Sequence, residues 1–259
     1  MEKSREESSA ETRAEEDPTS RHRGHHPADP ELFAEERIPV LRTAVAELSW
    51  LLERGYNDSS ALALVGNRHE LRKRQRKAVL RCSCGDTARE ERRARKLRPG
   101  DLAGRAVAID GFNCVIGLEA ALSGAVVLVG RDSAHRDMSS VHGSYRRVSE
   151  TRRALALVAD FLAACEVESV SWLLDRPVSN SGRLKALIAA AAPPDIPWTI
   201  ELVYNPDREL CEQHAEEVVV TGDAWVLDHC GSWVDLAGEI IRQHIADAWR
   251  VDLGQPGPG

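Results

Sequence analysis

Three aspartates stand where apolar runs end, and their spacing suggests metal-assisted hydrolysis. Asp110 closes the run Ala106-Val107-Ala108-Ile109 and is followed by Gly111 and a helix-like stretch containing Asn113. Asp175 closes Val167 to Leu174, and Asp223 follows Val218-Val219-Val220 through Thr221-Gly222. If these runs are neighbouring strands of a parallel sheet, their carboxyl ends share one edge, where open α/β sheets bind ligands. Carboxylates gathered there repel unless a cation neutralises them or one takes a proton. Hard oxygen ligands suit Mg²⁺ or Mn²⁺, and a metal-bound water directed at a phosphodiester gives hydrolysis. Asp228 lies little more than a helical turn beyond Asp223 and is a fourth candidate ligand. Each of these aspartates is also a good helix cap, the competing reading for any one of them.

A second stretch suits an anion. Arg176-Pro177-Val178-Ser179-Asn180-Ser181-Gly182-Arg183 precedes a helix. Small polar residues at a helix start offer N–H groups and hydroxyls to phosphate, and arginine adds a forked charge. Ser179, Ser181 and Arg183 are therefore candidate phosphate contacts. GxxxxGK[ST] is absent, which disfavours a P-loop nucleotide triphosphatase, and GxSxG is absent, which weakens a serine-hydrolase reading. Asp132 and Asp137, which flank His135-Arg136, read as accessory contacts or solvated loop residues.

These residues need elements to hold them. From Arg105 onward short apolar runs alternate with helical patterns, which predicts βαβ units around a parallel sheet. Strands are expected at 105–110, 125–130, 167–174, 198–204 and 218–220. Helices are expected at 112–122, 150–165, 180–192, 207–214, 224–229 and 236–249, with 131–149 a long polar loop. Before Pro99-Gly100 the pattern is helical: 38–54 with Leu41, Val45, Leu48 and Leu52 on one face, then 61–66, 67–82 and 87–97. The expected organisation is a disordered acidic tail (1–36), a basic helical domain (37–98), an α/β domain (99–251) and a loose tail (252–259).

Charge is distributed unevenly. The net charge is −7, yet residues 66–98 hold thirteen bases and four acids, a local +9. Residues 99–259 hold twenty-three acids and thirteen bases. A basic block beside an acidic domain implies a polyanion-binding surface, with Arg72, Arg74 and Arg76 as candidate backbone contacts, or two halves that attract each other. No apolar run reaches 18 residues and the N-terminus is polar, so no membrane span or secretory signal is expected. The six cysteines are scattered, which suits reduced thiols and a cytoplasmic protein. An oligomer is compatible with all of this.

The motifs IDGFN (109–113), LLDRPVSNSG (173–182) and VVVTGDAWVLD (218–228) resemble those of the PIN-like metal-dependent nucleases, which include the NYN ribonucleases. Asp110 and Asn113 match the opening motif of that group, Thr221 and Asp223 its closing motif, and Asp175 stands where a central acid is expected. The layout from about residue 40 to 245, with Arg54-Gly55-Tyr56 and an arginine-rich helix, also resembles an uncharacterised family of archaea and bacteria with no assigned activity. The PIN-like resemblance implies a three-layer α/β/α domain behind a small all-α domain, and a Mg²⁺- or Mn²⁺-dependent nuclease acting on RNA. Asp110, Asp175 and Asp223 would then hold the metal with Asp228 assisting, and Asn113 would orient ligands. The PVSNSG loop departs from ordinary PIN nucleases. It keeps open a small phosphate-ester hydrolase, as the basic helix keeps open a non-catalytic RNA-binding module.

Overall fold

A computed structural model describes residues 24–139, 145 and 148–255. The first part is helical: α1 (Asp29–Leu32), a 3-10 turn (Glu35–Arg37), α2 (Ile38–Glu53), α3 (Asp58–Arg68), α4 (Lys73–Cys82) and α5 (Asp86–Arg95). After a second 3-10 turn (Pro99–Asp101) come β1 (Ala106–Asp110), α6 (Gly111–Leu122), β2 (Val127–Val129) and β3 (His135–Asp137). Next are α7 (Thr151–Ala164), β4 (Ser169–Asp175), α8 (Ser181–Ala191), β5 (Trp198–Val203) and α9 (Pro206–Glu212). The chain ends with β6 (Val218–Val220), α10 (Ala224–His229), β7 (Trp233–Val234), α11 (Leu236–His244) and β8 (Arg250–Asp252).

The main sheet is parallel throughout, in the order β5-β4-β1-β6-β7. Along the chain that is third, second, first, fourth, fifth, so the winding direction reverses between β1 and β6. β1 is central, and the alternation of its side chains divides the core. Val107 and Ile109 face α6, α7, α8 and α11 together with Val170, Trp172, Val218 and Val220. Ala108 faces the other way, with Leu173, Val219, Leu210 of α9 and Val226 and Leu227 of α10. Burial on both faces explains why the central strands β1 and β6 read as continuous apolar runs, while the edge strand β5 alternates.

A second sheet, β3-β2-β8, was not legible in the sequence. The run 125–130 supplies its middle strand rather than a strand of the main sheet. Part of the expected polar loop 131–149 forms β3, and residues 140–144 and 146–147 lie outside the described residues. The expected loose end contributes too: β8 pairs with β2, and Leu253 is buried. Val126, Leu128, Met138, Val251 and Leu253 share one core with Leu41, Val45, Leu48, Ala61, Val65 and Val79 of the helical part.

The acidic tail also needs correction. Residues 1–23 lie outside the described residues, but α1 and the 3-10 turn at Glu35–Arg37 order the end of this tail, with Leu32 and Phe33 buried. Asp29 is fully buried and takes both its oxygens to Arg74. Among the described residues no helix is long and apolar enough to cross a membrane.

Candidate functional site

The register of β1 with its neighbours fixes the site. Ile109 lies level with Val220, which sets Asp110 level with Thr221, and Asp110 lies level with Leu173. Asp110 ends β1 and caps α6 through the Asn113 N–H, which donates to Oδ1 at 3.3 Å. Its Oδ2 accepts from the Thr221 hydroxyl at 2.9 Å. Asn113 Oδ1 accepts from the Gly222 N–H at 2.7 Å, so the first turn of α6 is tied to the loop after β6. Asp223 N–H donates back to Thr221 Oγ1 at 3.0 Å. Asp223 caps α10, its Oδ1 accepting from the Trp225 and Val226 N–H groups. The two motifs are thus joined at the winding reversal, the position where such sheets bind ligands.

Two glycines permit this closeness. A Cβ on Gly111 would lie 2.9 Å from the Leu173 carbonyl oxygen, and one on Gly222 would lie 2.7 Å from the His135 carbonyl oxygen.

A fourth acid, Asp207, joins the edge. It lies in the first turn of α9, which packs on β1, β4 and α10. Burial, then the charge of Asp207, raise the Asp110 carboxyl, and Asp223 adds to the effect. The hydrogen bonds from Thr221 and Asn113 pull the other way, and the net result is about 7. Asp207 rises to about 6, first through burial and then through the charges of Asp223 and Asp175. Asp175 is raised by burial, and its Oδ1 is buried without a hydrogen-bond partner among the described residues. Among the described residues no cation forms an ion pair with any of these four aspartates. Nor do any three His, Cys, Asp or Glu side chains there come together as a ready metal-holding group.

The structure redistributes the other candidates. Asp175 lies two residues further along β4 than the position opposite Asp110, so it meets Asp207 rather than Asp110. Asp228 is not a free ligand: it accepts from Arg92 at 2.7 Å. Ser181 is buried and donates to the Asp175 carbonyl at 2.6 Å, holding the turn rather than facing a ligand. Ser179 and Arg183 are exposed, and Arg183 lines a pocket with Tyr145, Asn180, Leu184 and Leu187. Arg74 is spent on Asp29, and Arg76 donates to the Leu71 carbonyl and to Asn67 Oδ1. Arg72 is exposed beside Glu31 at 3.2 Å.

Much of the basic block therefore faces the protein's own acidic half. Arg92 of α5 is buried and donates to Asp132 at 2.6 Å, to Asp228, and to the Ala224 carbonyl. Asp132 also takes both terminal nitrogens of Arg136, whose Nε donates to the Gly222 carbonyl at 2.6 Å. Burial alone would raise Asp132, but Arg136 and Arg92 hold it well below the usual carboxylate range. Asp132 is thus the hub of an ion-pair network that positions the loop carrying Asp223, not a loop contact awaiting a ligand. Asp137 is likewise buried in β3 rather than solvated. His135 is buried, with Nδ1 at 2.7 Å from Asp235, whose carboxyl sits near 2 because His135 and Lys96 outweigh burial.

A cleft of about 890 Å³ is lined by residues of both the helical part and this edge. Asn113, Gly222 and Asp223 of the edge line it together with Tyr56, Arg81 and Arg92 of the helical part. Asp110, Asp175 and Asp207 do not form part of its wall.

Residues 99–239 match the family model described as "Domain of unknown function (DUF5616)". The chain belongs to this family. Residues 40–95 match a second model, "Protein of unknown function (DUF434)", so the DUF5616 region covers the carboxylate edge and the DUF434 region the helices that brace it. An uncharacterized protein of Methanocaldococcus jannaschii, MJ0935, is 31% identical over 207 residues, spanning 78% of this chain and 97% of that protein. No solved structure matches this DUF5616 chain.

Proposed function

We propose that this DUF5616 protein is a divalent-metal-dependent phosphodiesterase acting on RNA, with its site at the carboxyl edge of the main sheet. One observation carries the reading. Asp110, Asp207 and Asp223 act on one another where the winding reverses, and burial and mutual repulsion push two of them toward neutral pH. Folding a chain around such a group is costly unless a proton or a cation neutralises it, and oxygen ligands gathered at a ligand-binding sheet edge suit a hard cation. The orphaned Asp175 Oδ1 fits the same account. Mg²⁺ is commonly held by one or two carboxylates, with waters and substrate phosphate completing its shell. Asp110 and Asp223 would hold it, with Asp207 and Asp175 adding negative charge alongside. When bound, the ion supplies a Lewis acid and a water of lowered pKa. Thr221 fixes the rotamer of Asp110 by donating to Oδ2. Asn113 locks the Gly222 loop with its oxygen and presents its amide nitrogen, which has no partner among the described residues, to a phosphate oxygen.

The motif resemblance to PIN-like nucleases supports this reading, and so does the winding reversal. The rival in which the basic helix alone carries RNA binding is weakened by the inward commitments of Arg74 and Arg76. The rival that uses the PVSNSG loop is weakened by those of Ser181.

The test is hydrolysis of mixed-sequence RNA by the wild type, Asp110→Asn and Asp223→Asn in Mg²⁺ and Mn²⁺, paired with calorimetry of Mn²⁺ binding. The expected result is a rate loss of roughly 100-fold or more in each variant, and a binding heat that disappears when both are combined. No hydrolysis by wild type in either metal overturns the reading.

A further inference from the structure

Two exposed aromatic rings border the carboxylate edge, and nothing in the core explains their position. Tyr204 directly follows β5, three residues before Asp207, and is 71% exposed. Trp225 is the second residue of α10, two residues after Asp223, and is 47% exposed. The two helices they precede or begin, α9 and α10, pack against each other, and the charge of Asp223 acts on Asp207. Both rings therefore belong to the rim of one acid cluster.

Each ring is steadied by a neighbour and still leaves surface open. The Arg176 guanidinium lies 5.1 Å from the Tyr204 ring centroid, and Arg176 itself follows Asp175. His229 stacks on Trp225 at 4.2 Å with 22° between planes, and its Nδ1 lies 2.7 Å from the Trp225 carbonyl oxygen. A ring already in contact with a neighbour has less orientational freedom to lose on a ligand.

An acidic rim repels a phosphate backbone, so a polyanion needs another source of affinity there. Base stacking supplies it without charge and tolerates any sequence, because every base has a π-face. In a duplex those faces are stacked on one another and out of reach. We propose that Tyr204 and Trp225 are base-stacking platforms, and that this edge takes unpaired, single-stranded nucleic acid in preference to duplex. The proposal rests on the phosphodiesterase reading for the location of the reacting phosphate, and the platforms are measurable without any turnover.

The experiment is equilibrium binding of a short fluorescent mixed-sequence RNA to the full chain in EDTA. The RNA is offered single-stranded, annealed to its complement, and as the matching single-stranded DNA. Single-stranded RNA is expected to bind more tightly than duplex. Tyr204→Ala and Trp225→Ala are each expected to weaken it by about 5- to 100-fold. Tyr204→Phe and Trp225→Phe, which keep a ring, are expected to retain most of the affinity. Thermal melting of all four variants guards against a folding defect.

No binding of the single strand, equal affinity for duplex, or alanine variants that bind like wild type overturns the proposal. Phenylalanine variants that lose as much as the alanine ones also overturn it, since a stacking role requires only the ring. Single-stranded DNA bound as tightly as RNA is the expected result of stacking alone, while tighter RNA binding adds recognition of the 2′-hydroxyl. Ring-dependent binding with no hydrolysis in Mg²⁺ or Mn²⁺ leaves the platforms standing and overturns the phosphodiesterase. Hydrolysis that survives both alanine changes with unaltered KM does the reverse.

Discussion

Asp110 contributes a pH dependence to the molecule's stability. An unfolded aspartate titrates near 3.9, whereas Asp110 in the fold is pushed up to about 7. Between those values the native state binds the extra proton, so stability falls as pH rises through that window. Asp207, at about 6, acts in the same direction. Asp132 and Asp235 are held low, so their contribution is present above the unfolded pKa and is lost only in stronger acid. Melting in EDTA should therefore show Tm declining from about pH 5 to pH 8 in wild type and a flatter profile in Asp110→Asn. The variant should be the more stable of the two at pH 8, and Mn²⁺ should restore stability to wild type alone. An unchanged slope in Asp110→Asn would remove Asp110 as the source. Asp110 and Asp223 stood out in the sequence because each lies at or just past the end of an apolar strand, and Asn113 and Thr221 stood out through the motif resemblance. Asp207 was not: it sits behind Asn205-Pro206, which reads as an ordinary helix cap, and Asn205 does cap α9. Its partners come from other strands. Asp228 was misread for the opposite reason, since spacing along α10 carries no trace of the arginine that meets it from α5.

At the scale of elements, α5 acts as a brace. Arg92 reaches Asp132, Asp228 and the Ala224 carbonyl at once, so one side chain ties α5 to the start of α10 and to the loop before β3. Removing one partner from a buried ion pair leaves the other charge stranded, typically at 3–5 kcal/mol. Asp132 keeps Arg136 in this case, so Arg92→Ala should cost about 3 kcal/mol in urea unfolding, the low end of that range. A loss under about 1 kcal/mol would mean that Arg136 alone suffices. Gly222→Ala tests the same loop from the other side. Its Cβ would press on the His135 carbonyl oxygen, so the loop must shift and Asp223 with it. Hydrolysis should fall further than stability in that variant, and equal losses would indicate damage to the fold. The sequence concealed this brace because His135-Arg136-Asp137 looks like a solvated charge run. Burial of three charged residues in a row depends on partners far along the chain, which local pattern does not record. By contrast, β1 and β6 were legible because a strand covered on both faces must be apolar throughout, and the edge strand β5 because it is short, rich in β-branched and aromatic residues and bounded by prolines.

Across the whole molecule, the uneven charge in the sequence is an internal fit as much as a display to solvent. Arg81 donates to the Asp137 and Ser139 carbonyls, Arg95 to those of Leu227 and Cys230, and Arg92 enters the network described above. The cores agree with the charges, since the helical part and the small sheet bury a single apolar cluster. The boundary at Pro99-Gly100 is therefore a change of secondary structure inside one packed unit. A fragment of residues 99–259 expressed alone would expose Val126, Leu128, Met138, Val251 and Leu253, all buried in the full chain. It would also leave Asp132 with one arginine in place of two. Exposed apolar clusters of this kind drive association, so the fragment should be insoluble or bind a hydrophobic dye strongly. Co-expression with residues 24–98 should recover a soluble complex that melts in one transition with the profile of the intact chain. High salt should loosen that complex only modestly, because its ion pairs are buried and screened little. A fragment that folds cooperatively alone, with the full chain showing two separate transitions, would mean that the helices are an appended module. The carboxylate edge would then be held by the sheet alone, and Arg92→Ala should leave hydrolysis intact.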